Sequence, residues 1–245
     1  GKALATSGNY AEYNFGAMQI KPRSFDAPYS SSSSYSCNTN GHNYSAYCWK
    51  AGGAAVANTD GSISSQVSVN KEAGFSIVTY TGTGADGTVG HGLGKVPAVV
   101  IIKNRDRTVE WIVKHQKLSS GNILYLNLNS GEDGATGSNN GIIGDLNNAS
   151  TFSLTRTSNS GNYNNNNVTG EKYVAFCYAE IPGYSKFGIY RGNDSSDGVF
   201  NDCGFKPAII ITAGKNSSDA WVLWDNARDP DLSLIHISEP TRQLC

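Results

Sequence analysis

The sequence predicts an all-β chain made of tandem antiparallel β-sandwich modules, jelly-roll-like, of about 110 residues each. Three observations carry that expectation. Short alternating or β-branched apolar runs are separated by turns of Gly, Asn and Ser. Charged residues are only 16% of the chain while Gly occurs 28 times, the profile of strands and turns rather than helices. Finally, the chain repeats itself at a constant offset of 110 residues. Tyr80, Gly82, Val89, Gly94, Pro97, Ala98, Ile101 and Trp111 recur as Tyr190, Gly192, Val199, Gly204, Pro207, Ala208, Ile211 and Trp221. Self-similarity at a fixed period is the mark of a modular array, and repeated positions are read as scaffold.

Taken in order, residues 44–53 (YSAYCWKAGG) resemble residues 173–183 (YVAFCYAEIPG), so the second string marks the strand that ends a module. Residues 54–73, with NTDGSISSQVSVN, read as an extra connector of the first copy. FSIVTYT at 75–81 alternates, with Phe75, Ile77 and Thr79 on one face and Ser76, Val78 and Tyr80 on the other. AVVIIK at 98–103 is a continuous apolar run, so both of its faces should be covered. Pro97 and Pro207 sit where strands open and a missing N–H costs least. WIVKH at 111–115, ILYLNL at 123–128, TFSLTR at 151–156 and KYVAFCYAE at 172–180 complete the module. The expected division is 1–53, the end of a preceding module; 54–74, a connector; 75–186, a complete sandwich; 187–231, the front of a following module; and 232–245. Both ends read as cut.

Composition limits the function. A net charge of −1 supplies no basic field for nucleic acid and no polybasic membrane patch. No apolar run approaches the length that spans a bilayer. Cys48 and Cys177 occupy equivalent positions between aromatic residues, which reads as one buried thiol per module; a Cys48–Cys177 disulfide is the alternative. No cysteine or histidine spacing fits zinc, and no metal or cofactor is expected.

Several local motifs are read as turns. Gly82, Gly84 and Gly87 in TGTGADG match a dinucleotide fingerprint, but VGHGLGKVP follows where that fingerprint needs a helix. His91, in GHGLG, has Asn201 as its counterpart and no adjacent carboxylate or serine, so a turn role outweighs a catalytic or metal-binding one. NDSSDG (193–198) and NTDG (58–61) have some calcium-loop character without the alternating oxygen ligands or the terminal bidentate Glu. Glu132 and Asp133 are expected to point apart and to solvent. No nucleophile elbow or zinc-protease motif occurs. A carboxylate pair for sugar hydrolysis could assemble only in space.

The binding candidates come from positions that differ between copies. Trp111 and Trp221 match and read as core anchors, whereas Trp224 stands where the first copy has Lys114. Trp224 could stack on a sugar ring or plug the turn that follows it. The tract NSGNYNNNN offers Tyr163, Asn164 and Asn165 as adaptable polar contacts in a loop. A second such loop is YSSSSSYS at 29–36.

The strings YCWKAGG, NTDGSISSQVS, AGFSIVTYTG, VGHGLGKVP, YVAFCYAEIPGYSKFG and WDNARDP occur between Tyr44 and Asp231. In that order they resemble a repeated, functionally uncharacterised β-rich module of tail-fibre-like and other virion structural proteins of marine bacteriophages. The resemblance implies a non-catalytic spacer or host-surface binding module in a phage tail. Its partners would be a host cell-surface glycan or receptor and other virion tail proteins, and it allows a homotrimer. The alternatives are a bacterial adhesin repeat at the cell surface and a polysaccharide depolymerase. Residues 232–242 (LSLIHISEPTR) instead resemble the in-frame translation of a common sequencing-adapter end, so 232–245 carry no fold argument here.

Overall fold

The computed structural model describes residues 2–3, 11–14, 19–21, 23–27, 38–44, 46–134, 142–155 and 166–228. The strands are Lys2–Ala3 (β1), Tyr13–Asn14 (β2), Gln19–Ile20 (β3), Phe25–Asp26 (β4), Val56–Asn58 (β5), Ser65–Asn70 (β6), Phe75–Thr81 (β7), Gly87–Gly90 (β8) and Val99–Asn104 (β9). They continue as Ile112–His115 (β10), Asn122–Tyr125 (β11), Asp133–Gly134 (β12), Ile142–Ile143 (β13), Thr151–Thr155 (β14), Lys172–Tyr178 (β15), Ile209–Thr212 (β16) and Val222–Asp225 (β17). No helix occurs among the described residues, and every strand pair is antiparallel.

Two unequal sheets make the body. The larger runs β12-β11-β10-β9-β15-β7-β6-β5 and the smaller β13-β14-β8. The chain crosses to the small sheet after β7, back after β8, to the small sheet again after β12, and back after β14. β15, the last strand of the large sheet in sequence, lies in its middle between β9 and β7. The all-β, antiparallel architecture is the one expected. A parallel bridge between Ile63 and Val89 ties the sheets at one side.

Alternation decides which side chains meet between the sheets. Val78 and Tyr80 of β7, Val100 and Ile102 of β9, Ile112 of β10 and Tyr173, Ala175 and Cys177 of β15 project from one face of the large sheet. They pack on Val89, Ile143, Phe152 and Leu154. The Tyr80 and Tyr173 rings stack 5.0 Å apart across the β7–β15 pair, and Phe152 meets Tyr80 edge-on at 6.3 Å. The expected alternation of β7 is what the fold shows, with Ser76, Val78 and Tyr80 on the core side. The continuous run of β9 is covered on both faces. Val99 and Ile101 point away from the core into a second cluster with Val113, Leu124, Tyr178, Phe187 and Trp221.

Three expectations are corrected. Residues 54–74, read as a connector, supply β5 and β6, which extend the large sheet and place Ile63 and Val67 in the core. Cys48 is exposed while Cys177 is buried, and both are free thiols, so only Cys177 is the small buried group expected of each. Cys177 is covered because β15 has a strand on either side, a setting that Cys48 lacks. Trp221 anchors no core of its own. It lies on the outer face of the large sheet, donating its indole N–H to the Tyr125 carbonyl at 2.9 Å.

The β16–β17 hairpin copies the β9–β10 hairpin in register. Val99, Val100, Ile101 and Ile102 face His115, Lys114, Val113 and Ile112. Ile209, Ile210, Ile211 and Thr212 face Asp225, Trp224, Leu223 and Val222, each 110 positions on. The closing bond also recurs: Gln116 N–H to the Ala98 carbonyl at 2.8 Å, and Asn226 N–H to the Ala208 carbonyl at 3.1 Å. The turn before each hairpin uses a left-handed glycine, Gly94 at φ +69° and Gly204 at φ +73°.

Candidate functional site

The motifs that suggested chemistry are built into the scaffold. The Gly82–Gly87 turn is clamped by residues 166–171: Gly82 N–H donates to the Glu171 carbonyl, Gly84 N–H to the Asn167 carbonyl and Gly170 N–H to the Gly82 carbonyl. Asn167 closes the clasp by accepting the Thr83 N–H and donating to the Ala85 carbonyl. The peptide donors of Gly82, Thr83 and Gly84 are therefore taken up inside the protein. His91 is fully buried; its Nδ1 accepts the Leu93 N–H at 3.2 Å and its Nε2 lies 3.4 Å from the Asn148 carbonyl. Burial pushes its pKa below the ordinary histidine value, against the pull of Asn148 and Asp60. NTDG and NDSSDG use their amides internally. Asn58 Oδ1 accepts the Asp60 N–H, and Asn193 accepts the Ser195 N–H and donates to the Gly198 carbonyl. Among the described residues no three metal-ligating side chains gather.

Glu132 does not point to solvent as expected. It accepts the Ser119 N–H and hydroxyl and lies 3.2 Å from the Lys215 ammonium, joining the turn before β11 to the chain after β16. Its hydrogen bonds from Ser119 and the Lys215 charge outweigh desolvation and hold its pKa below the usual carboxylate value.

A polar seam runs along the rim of the large sheet beside β15. Tyr173 Oη accepts the Val168 N–H at 2.8 Å and the Asn104 amide at 3.1 Å and faces Glu171 at 3.3 Å. Glu171 in turn takes the Asn104 amide at 2.5 Å and lies 3.4 Å from Arg107. Asn104 Oδ1 caps the turn by accepting the N–H groups of Asp106 and Arg107. Burial raises the Tyr173 phenol, so it stays protonated and works as a fixed hydrogen-bond junction. Two lysines were not singled out from the sequence. Lys103 is buried on β9, donating to the carbonyls of Val109 and Arg107, and burial lowers its pKa to about 8 with Glu110 opposing. Lys114 is buried on β10 and reaches Asp145 at 2.9 Å and the Asn122 carbonyl at 2.9 Å. The only sequence signal for either is a lysine inside an otherwise apolar strand.

Of the four binding candidates, Tyr163, Asn164 and Asn165 lie outside the described residues. Their tract ends at Asn166 and Asn167, which are buried; the Tyr80 hydroxyl donates to the Asn166 carbonyl at 2.6 Å. Trp224 is half exposed on β17, opposite Ile210. Beside it Asp225 accepts the Tyr47 hydroxyl at 2.7 Å and the Arg228 Nε at 2.5 Å, and the Tyr47 bond foremost holds its pKa at about 2. On the same face of the ribbon as Trp224, Ile210 and Val222 are also exposed. What this arrangement offers is an aromatic and aliphatic face on a two-stranded ribbon, suited to stacking and strand contacts rather than to proton transfer.

Among the described residues no helix is long and apolar enough to cross a membrane. Neither a curated protein nor a solved structure matches the chain. The model of one family, described as a domain of unknown function (DUF7483), matches residues 2–242, and the chain belongs to that family.

Proposed function

We propose that this chain is part of a tail-fibre-like virion protein built from tandem modules, serving as a non-catalytic spacer that presents loops to a host-surface glycan. The observation that supports it is the second hairpin. It keeps the first hairpin's register over four residue pairs, yet replaces the buried Lys114 by the exposed Trp224. A register preserved while Ile102, Lys114 and His115 give way to Thr212, Trp224 and Asp225 is what an array of structurally equal, functionally varied modules requires. An indole half in water beside apolar neighbours is suited to the face of a sugar ring. Tyr163, Asn164 and Asn165 would add polar contacts from the preceding module. Placement would be on the virion, with a bacterial cell surface as the alternative.

The test is binding of the labelled chain to a glycan array and to intact bacterial cells, alongside Trp224→Ala and a Tyr163→Ala/Asn164→Ala/Asn165→Ala triple variant. Saturable binding, weakened at least tenfold by one of these changes with no release of reducing ends, supports the reading. Reducing-sugar release would replace it with a depolymerase, and no binding to any glycan or cell would leave only the spacer.

A further inference from the structure

The two sheets meet at one corner around a buried histidine. The chain leaves β8 at Gly90 and turns through His91, Gly92 and Leu93 toward β9. Ser65 of β6 donates its hydroxyl to the Gly90 carbonyl at 3.1 Å. Gly92, at φ +70°, lies against the same strand, where a Cβ would meet the Val67 side chain at 3.0 Å. On the other side the His91 N–H donates to the Ser150 carbonyl at 3.0 Å, at the entry to β14. β6 of the large sheet and β8 and β14 of the small one thus converge on His91, which is 0% exposed.

Both ring nitrogens are in use. Nδ1 accepts the Leu93 N–H at 3.2 Å, which needs a lone pair there. The single proton of the neutral ring therefore sits on Nε2, 3.4 Å from the Asn148 carbonyl. Leu93 is itself a core residue, 2% exposed. A second proton can go only to Nδ1. It would set one N–H donor against another, leave the Leu93 amide without an acceptor and place a charge at a site closed to solvent. We propose that His91 is an acid-sensitive latch, whose protonation opens residues 91–94 and the 148–150 turn and loosens the small sheet from β6.

The surroundings offer the charged ring little compensation. β6, β8 and β14 carry no ionisable side chain. Asp60, in the turn between β5 and β6, is the carboxylate that acts on the ring, but it is exposed and bonded to Asn58. Asp145, before the 148–150 turn, is held by Lys114 and Ser120. Lys71 and Lys95, toward the far end of the loop, are exposed. An opened imidazole takes up its proton near the free value of about 6.5, whereas burial keeps the closed one below it. Closure is therefore complete above that value. It weakens as pH falls below it, by about tenfold per pH unit until the closed ring itself charges. The latch is independent of glycan binding and of how many modules the chain holds.

The test is hydrogen exchange of the full chain at about pH 7.5 and about pH 5.5, corrected for the intrinsic rate at each pH. Protection of the His91 and Leu93 amides and of β8 and β14 should fall by about tenfold at the lower pH, while β9 and β15 hold theirs. His115, on β10, titrates in the same range, so the comparison is with His91→Asn. An asparagine can still accept the Leu93 N–H and does not titrate, and the repeat itself has Asn201 at this place. In that variant the fall should vanish. Nitrogen-15 spectra of the wild-type imidazole give a second reading that needs no variant. They should show the Nε2–H form at neutral pH, and its charging should coincide with the loss of Leu93 protection. Unchanged protection at Leu93, an equal fall in β9 and β15, a fall that persists in His91→Asn, or a ring that charges while the Leu93 amide stays protected would each overturn the inference.

Discussion

The Lys114 ammonium lies 2.9 Å from Asp145, tying β10 of the large sheet to the loop that leads into β14 of the small one. Hydrogen bonds from Ser120 first, and then from Lys114, hold the Asp145 carboxyl at about 2. A carboxylate below its unfolded value of about 3.9 contributes stability that is complete above that value and lost as pH falls toward 2. Asp145 is half open to solvent, so screening reduces the contribution to about 1 kcal/mol. Denaturant unfolding of the wild type and Asp145→Asn should differ by that amount at pH 7 and converge near pH 2.

Lys103 has the opposite dependence. Burial lowers its pKa to about 8, so between that value and the unfolded value of about 10.4 the unfolded chain binds more protons. The cost of burying the charge is then relieved as pH rises, by up to about 3 kcal/mol. Other groups titrate in this range, so the measure is the difference between the wild type and Lys103→Met. That difference should move in favour of the wild type from pH 7 to pH 10; a constant difference would count against a strained ammonium.

Tyr173→Phe tests the polar seam. The change keeps the ring stacked on Tyr80 but leaves the Val168 N–H without this acceptor and the Asn104 amide with Glu171 alone. Unmet buried donors cost about 1–3 kcal/mol. Thr81→Ala, at an exposed position at the end of β7, should cost under about 0.5 kcal/mol in the same thermal scan.

Hydrogen exchange should divide the chain in two. Amides of β7, β9 and β15, each with a strand on both sides, should exchange slowest. Those of β16 and β17 should exchange fastest among the named strands after Val56, because their sheet has two members and exposed faces. Equal protection in the two hairpins would contradict this division.

Much of this was readable in the amino-acid string because alternation and turn chemistry act locally. The β7 faces, the doubly covered β9 and the closing strand β15 follow from which residues are apolar and where Gly intervenes. β5 and β6 were missed for the opposite reason. SQVSVN has no counterpart in the second copy, and its small polar residues resemble a linker until Val67 is seen in the core. Lys103 and Lys114 were opaque because their partners are carbonyls and a carboxylate brought close only by folding. Trp224 was legible as the position that departs from the repeat. Nothing in the composition of YSAYCWKAGG distinguishes a buried strand from the exposed segment it forms here; that depends on which strands stand beside it.

The position of β15 has a consequence for synthesis. It is the last strand of the large sheet to leave the ribosome, and it belongs at the centre, between β9 and β7. From the time Asn104 emerges until Tyr178 follows, the nascent sheet has two facing edges and no strand between them. Closing it joins residues about a hundred apart in sequence, a slow step for a chain of high contact order. The growing chain therefore passes through an interval in which this sheet is open to neighbouring chains on the polysome, and its yield will depend on how quickly translation carries it past residue 178.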